Sequence, residues 1–386
     1  MHIAIIGAGP AGIEAALAAR QAGAAVTVFS SEPVLPYFRP RLVSVAMGQV
    51  EPAAIAMHPE AWYAERGIRL RLATPATAID VAARTVTAGG AAEAFDAMVL
   101  SCGALPIRPR FAGETAAMPL HSLWSVADAE VIRRRVRPEA RLVVIGGASL
   151  GIECALRARE QQLHVAIVEQ KPRLMPLLLG DAASAFLRRQ LEARGIVVHA
   201  GCAVSSVAEA PGGRIGVGLD HGAVLDADLA LVCIGAAPNT ELARQAGLDA
   251  ARGILADACL QAAPGIFVAG DACQAAGRPA RGAVREASAQ GRLAGANAAA
   301  FLAGGALQPF AAATVPTMVR CGGIEIHAAG QAAGDGVTEE LLEGTTGSGS
   351  FRALTRRADG SLAGVQMINT REGFDALAAQ LAACRA

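Results

Sequence analysis

The sequence predicts an α/β protein built from two strand–turn–helix–strand units, with a smaller α+β segment at its end. Three observations carry this. A short apolar run, His2-Ile3-Ala4-Ile5-Ile6, leads into Gly7-x-Gly9-x-x-Gly12 and then an Ala-rich stretch. The same order returns at Arg141 to Ile145, Gly146-Gly147-Ala148-Ser149-Leu150-Gly151 and a second helical stretch, 139 residues further on. Continuous apolar runs of strand length, rather than alternating ones, mark parallel strands covered on both faces.

The elements follow in order. Ile13 to Gln21 reads as a helix closed by Gly23, and Ala25 to Phe29 as the second strand. Glu60 to Arg66 reads as helix and Ile79 to Val86 as β structure. Met98-Val99-Leu100-Ser101-Cys102-Gly103-Ala104 is an apolar strand ending in small residues, matched by Leu229 to Ala236; both end where a chain could cross between domains. The second unit's helix runs to about Gln161, and His164 to Val168 is its next strand. Gly265 to Asp271 is a further strand with a Gly-Asp end, and a long Ala-rich helix spans about Arg285 to Ala303. Beyond Pro309 come short strand signals, a loop at Gly344 to Ser350 and a last helix near Gly373 to Cys384.

Composition narrows the function. The chain has 386 residues, 53% hydrophobic and 18% charged, enough for two or three domains with cores. Basic and acidic residues balance at 34 each, which argues against a nucleic-acid or polybasic membrane surface. No apolar run reaches a membrane span, and no charged n-region precedes the first strand, so a cytoplasmic chain is expected. The eight cysteines show no CxxC or CxxxxC spacing, which disfavours zinc, an iron–sulfur cluster or a local redox disulfide. The seven histidines show no HxxxH or HExxH pairing, and no metal is expected. Lys171 is the only lysine, so any lysine chemistry has one position open to it.

The glycine turns carry the chemistry. Gly7 permits a tight turn, Gly9 lets backbone N–H groups approach a pyrophosphate, and Gly12 lets helix and strand pack closely. Chance alone yields such a string about once in every two chains this rich in glycine, so context decides. Here the string follows a strand and opens a helix, and Glu32 stands 20 residues beyond Gly12, where a ribose-binding carboxylate belongs. In the second unit Gly146 and Gly151 fit, but Ala148 replaces the middle glycine. Glu169 lies 18 residues after Gly151; a carboxylate there favours NADH over NADPH, while Lys171 and Arg173 nearby keep NADPH open.

These motifs together resemble the FAD/NAD(P)-dependent pyridine nucleotide oxidoreductases, most of all NADH:rubredoxin and ferredoxin reductases and nitrite-reductase-type flavin modules. The resemblance rests on GAGPAG at 7–12, SEPVLPYFRPRL at 31–42, SCGA at 101–104, GGASLGIE at 146–153, IGAAPN at 234–239 and GIFVAGDA at 265–272. It implies two Rossmann-like dinucleotide-binding domains: a discontinuous FAD domain (1–110 and 235–308), an inserted NAD(P)H domain (111–234), and a small C-terminal α+β domain (309–386). It further implies that Gly7, Gly9, Pro10, Ala11 and Gly12 hold the FAD pyrophosphate and Glu32 its ribose. Arg39 and Pro40 would pass beside the flavin and Asp271, after Gly270, would bond the ribityl chain. Ala287, Gln290 and Gly291 would lie on a helix facing the flavin ring. Gly103 and Gly235 fall at the crossings. Gly146, Ala148, Gly151 and Glu169 would hold the nicotinamide nucleotide, and Glu153 would lie toward the nicotinamide–flavin contact, although a dipole-favoured acid at a helix start explains it equally.

The resemblance implies an enzyme that passes electrons from NADH through FAD to a small acceptor protein, without a catalytic side chain. Two other readings stand beside it: an NADH oxidase or nitrite-reductase-type module, and a non-catalytic FAD-binding subunit whose NAD site has degenerated at Ala148. The chain departs from the disulfide reductases, because its first cysteine is Cys102 and no redox pair follows the first unit. Where many ferredoxin reductases carry a lysine near the flavin, Ser44 stands. Monomer and homodimer are both open.

Overall fold

The computed structural model describes residues 1–275, 278, 282–311, 316–343 and 349–383. Most of the Gly344–Ser350 loop and Cys384 lie outside the described residues. The chain divides into two compact units. One holds Met1–Arg41, Glu51–Leu105 and Ala236–Ala312; the other holds Leu42–Val50, Pro106–Gly235 and Ala313–Ala386.

The first unit is built on a six-stranded sheet in the spatial order Gln261–Ala263, Ile266–Val268, Ala97–Leu100, His2–Ile6, Ala25–Phe29, Ile68–Arg71. All pairs are parallel except the one at the Gln261–Ala263 edge. The central strand is buried along Ile3–Ile6 because it is covered on both faces, which is why its sequence does not alternate. One cover is the Pro10–Gln21 helix packed against Val284–Leu302. That crossing is made close by glycine: a β-carbon on Gly295 would fall 2.1 Å from the Ala15 carbonyl oxygen. The expected β structure around 79–86 is a hairpin, Ala76–Asp80 with Thr85–Ala88, extended by Ala91–Ala94.

The second unit repeats the design with a five-stranded parallel sheet in the order Ile196–Ala200, His164–Glu169, Arg141–Ile145, Leu229–Val232, Leu120–His121. A three-stranded antiparallel sheet, Val204–Ala210, Arg214–Leu219 and Val224–Ala227, packs its apolar face into the same core. The final segment forms a five-stranded antiparallel sheet, Thr317–Cys321, Ile324–Gly330, Leu362–Ile368, Phe351–Arg357 and Val337–Glu343 in that spatial order, with the Phe374–Ala383 helix laid on it. Within this unit the sheet caps the start of the Asp181–Glu192 helix: Gly180 N–H donates to Gln366 Oε1 at 2.6 Å and Ala182 N–H to Glu339 Oε2 at 3.2 Å. First-turn N–H groups have no partner inside their own helix, so these bonds satisfy them from outside.

Candidate functional site: two glycine turns

The first turn is shaped by close backbone approaches. Gly7 has φ +107°, which favours glycine, and a β-carbon on it would lie 2.2 Å from the Ser101 carbonyl oxygen. A β-carbon on Gly12 would lie 1.9 Å from the Gly7 carbonyl oxygen. Gly7 N–H donates to Phe29 at 2.9 Å, and the Ser101 hydroxyl is 3.0 Å from the carbonyls of both Ile6 and Gly7. Gly9 differs from both. Its backbone is extended (φ −73°, ψ −177°) and nothing lies within 4 Å of the place its β-carbon would take. An open space stands before the start of a helix whose first residue is Pro10 and whose first turn carries no acid. The unpaired N–H groups and partial positive charge of that helix end therefore face it undiminished.

Other expected residues gather in this unit. Gly270 (φ +75°) is pressed against Ala11, where a β-carbon would approach the Ala11 methyl to 2.9 Å and that of Ala287 to 3.6 Å. Gln290 is buried and accepts from Gly270 N–H at 2.9 Å; Gly291 packs on the Ala11 backbone. Both therefore position the turn itself. Asp271 follows in a short 3-10 turn; burial pushes its carboxyl up, and the positive charge of Arg39 opposes that shift. Pro40 is exposed beside Arg39. Gly103 (φ +69°) has open space where a β-carbon would stand, and its carbonyl accepts from Asn239 N–H. Glu32 is half-buried, and Tyr37 donates its hydroxyl to the carboxylate at 2.8 and 3.0 Å from the two oxygens.

The second turn reproduces the backbone geometry of the first. Gly146 has φ +115°, donates to Val168 at 2.8 Å, and would place a β-carbon 2.4 Å from the Cys233 carbonyl oxygen. A β-carbon on Gly151 would lie 2.0 Å from the Gly146 carbonyl oxygen. Ala148 occupies the Gly9 position with φ −96° and ψ −174°, nearly the same backbone, and is exposed. The alanine thus leaves the turn's path unchanged and adds one methyl to its open side. Gly235 (φ +110°) accepts from Ile107 N–H at 2.9 Å. Glu153 lies in the helix that this turn opens; burial raises its carboxyl to about 7, against the pull of Arg157.

The two acids differ. Glu169 is buried and turns inward: Oε2 accepts from Gly147 N–H at 2.7 Å and Oε1 from Lys171 N–H at 2.8 Å. Ser101, Tyr37 and Gly147 were not singled out by sequence reasoning, though each sits inside a quoted motif. Burial pushes Cys102 and Cys273 up to about 12, and Cys202 is also raised. The short Leu42–Ala46 helix that holds Ser44 packs within the second unit, against Val126–Arg133 and Ser149–Glu160. Among the described residues no helix is long and apolar enough to cross a membrane.

Two sheets, one parallel and one parallel but for a single edge strand, each with a glycine turn at the start of a helix, define a fold with two dinucleotide-type sites. The chain belongs to the pyridine nucleotide-disulphide oxidoreductase family, which matches residues 1–291. It is 32% identical over 377 residues to the ferredoxin–NAD(+) reductase component of the biphenyl dioxygenase system of Paraburkholderia xenovorans (strain LB400), covering 96% of this chain and 91% of the relative. It is 34% identical over 401 residues to the ferredoxin reductase component of the chlorobenzene dioxygenase of Cupriavidus sp. (strain PS12), covering 100% and 93%. Among solved structures it resembles the reductase in the covalent putidaredoxin reductase–putidaredoxin complex (TM-score 0.87, 26% identity, 99% of this chain and 93% of that one). The ferredoxin reductase for the CYP199A2 system of Rhodopseudomonas palustris is equally similar (TM-score 0.87, 28% identity, 97% and 92%).

Proposed function

We propose that the chain is an FAD-dependent oxidoreductase that takes electrons from NADH and passes them to a small iron-containing carrier protein of the ferredoxin or rubredoxin class. The observation that carries this is the duplicated glycine turn, with a backbone-forced pair of glycines in each unit and between them an open position at Gly9 in one and an exposed alanine, Ala148, in the other. On this reading residues 1–110 and 235–308 form the FAD domain, 111–234 the NADH domain and 309–386 the C-terminal domain, in a cytoplasmic protein. A bound flavin supplies the conversion of a two-electron donor to one-electron delivery.

The chain's own residues bind and orient. The Gly9–Pro10 turn offers backbone N–H groups and a positive helix end to one pyrophosphate, and the Ala148–Ser149 turn does so for the other. Glu32, fixed by the Tyr37 hydroxyl, keeps lone pairs for ribose hydroxyls. Asp271 follows Gly270, which is pressed against Ala11 of the first turn, and the positive charge of Arg39 favours its ionised form; the two would serve a ribityl chain and the flavin edge. The raised thiols leave no ready thiolate at Cys102 or Cys273. This favours delivery to an external carrier over disulfide chemistry. The test is an anaerobic NADH titration of the FAD-loaded protein. Bleaching of the flavin band at stoichiometric NADH is expected, followed by faster reoxidation with a ferredoxin or rubredoxin than with oxygen. A flavin band that neither NADH nor NADPH bleaches refutes the reading.

A further inference from the structure

At the amino ends of its strands the first unit carries an open groove of about 520 Å³, lined among others by His2, Arg20, Thr27, Gly67, Arg69 and Glu93. The His2–Ile6 strand is five residues long, so the groove lies about 16 Å from the glycine turn at the strand's other end. Its charges do not cancel. Glu93 pairs with Arg71. Arg20 bonds backbone carbonyls and no acid, donating from Nε to Arg66 at 3.1 Å and from Nη1 to Ala24 at 2.6 Å. Its Nη2 donors bond nothing among the described residues and lie beside Gly67, where a β-carbon would approach Nη2 to 2.6 Å. The Arg69 side chain is exposed and has no hydrogen bond or ion pair among the described residues. His2 and Thr27 occupy each other: the ring donates from Nδ1 to the Ala94 carbonyl at 3.0 Å and meets the Thr27 hydroxyl at 2.9 Å through Nε2. Two guanidinium charges are therefore left without an acid.

The second unit shows which of these residues the fold itself requires. Arg159 repeats Arg20, donating from Nε to the Arg194 carbonyl at 3.1 Å and from Nη1 to the Leu163 carbonyl at 2.5 Å. In both units this arginine ties the end of the glycine-turn helix to the chain entering the third strand, so the bonds to carbonyls are structural. The rest of the lining is not repeated. Thr27 stands in register with Arg69, and the same register in the second unit sets Ala166 beside Val197. The counterpart of His2 is Arg141, which pairs with Asp226 at 2.6 Å. We propose that the groove of the first unit is a site for a phosphate dianion, free or as a monoester, held by Arg69 and the remaining donors of Arg20. Two guanidinium groups offer two charges and planar sets of N–H donors, which match a doubly charged tetrahedral oxyanion. A single carboxylate would leave one of the charges unmatched. The site is separate from both glycine turns and does not depend on what they bind.

The experiment titrates inorganic phosphate into the full-length protein by calorimetry, with FAD and NAD+ present at saturating concentration and sodium chloride of matched ionic strength as the control. The variants are Arg69→Val, which installs the residue found at the matching place in the second unit, and Arg69→Gln, which keeps much of the length without the charge. Saturable binding to one site is expected in the parent, with a Kd about tenfold or more higher in both variants, as for lost bonds to a charged group. In chloride alone the melting temperatures and FAD content of the variants should equal those of the parent, because Arg69 bonds nothing in the fold. Glycerol 3-phosphate in place of phosphate identifies the form: tighter binding assigns the site to a monoester, weaker binding to the free ion. Phosphate that binds the parent no better than chloride overturns the proposal, as does an equal Kd in parent and variants. Variants that fail to fold overturn it too, since Arg69 would then carry structure. None of these outcomes bears on flavin reduction by NADH, which is read separately.

Discussion

Gly291 meets Ala11 so closely that a β-carbon on the glycine would fall 2.1 Å from the Ala11 carbonyl oxygen. Ala11 is in the first turn of the helix opened by the Gly7–Gly12 turn, and its methyl also limits Gly270. The Val284–Leu302 helix therefore sets the height of the first turn through backbone contact, four residues apart, at Gly291 and Gly295. Gly291→Ala is expected to force the two helices apart and destabilise the first unit by about 3 kcal/mol, the upper range for overpacking. FAD should be lost during purification while the second unit's sheet stays folded. Thermal unfolding with and without added FAD measures both effects, and a variant that melts with the parent and keeps its flavin contradicts the contact's role.

The Tyr37 hydroxyl donates toward both Glu32 oxygens, and the tyrosine itself is buried. Tyr37→Phe removes one hydroxyl and little volume. Loss of a bond to a partly exposed carboxylate should cost about 1 kcal/mol of stability. The larger effect is expected on FAD affinity, since Glu32 would be free to turn away from the ribose; a fivefold to tenfold weakening is about the size of such a bond. Flavin fluorescence recovery on dilution gives the Kd directly, and an unchanged value would remove Glu32 orientation from the account of FAD binding.

Ala148→Gly tests the second turn. Because Ala148 already has an extended backbone like that of Gly9, the substitution recovers no conformation that the alanine denies. Glycine is the better residue at a helix N-cap, so a small gain of about 0.5 kcal/mol is expected. The NADH KM should fall by less than about threefold, the share attributable to one exposed methyl. A gain of a hundredfold would instead show that the alanine blocks pyrophosphate approach.

Part of the site is legible in the sequence. Gly12 and Gly151 are forced by the carbonyls of Gly7 and Gly146 in the same turn, and Gly7 and Gly146 by a positive φ, so local spacing encodes them. The direction taken by the two acids was not legible. Glu169 turns inward because the Lys171–Gly180 loop returns to Gly147, and Glu32 is held by a tyrosine five residues on; neither bond follows from distance to a glycine. Gln290 illustrates the same limit. Its place on the long helix is readable, but its bond to Gly270 depends on how that helix crosses the Gly270–Ala272 turn. The capping of Gly180 by Gln366 and of Ala182 by Glu339 joins residues more than 150 positions apart and leaves no local signal.

Glu153 gives a pH-dependent prediction with a definite sign. Burial raises its carboxyl from 4.5 to about 7, with Arg157 pulling the other way. The folded state therefore holds a proton that the unfolded chain releases near pH 4.5. The associated stability is fully present below pH 4.5 and is lost as the pH rises through about 7. Glu153→Gln carries a neutral side chain at every pH, so relative to the parent it should gain stability between pH 5 and 8, by about 1–2 kcal/mol after discounting for partial solvent access. Other groups move the absolute curve, including Glu114, held low by Arg108, and Asp271, raised by burial. The difference between the two proteins cancels them. Melting temperatures of both at pH 5 and pH 8 supply the measurement, and parallel pH profiles would mean that Glu153 is ionised at its ordinary value and hydrated in the folded protein.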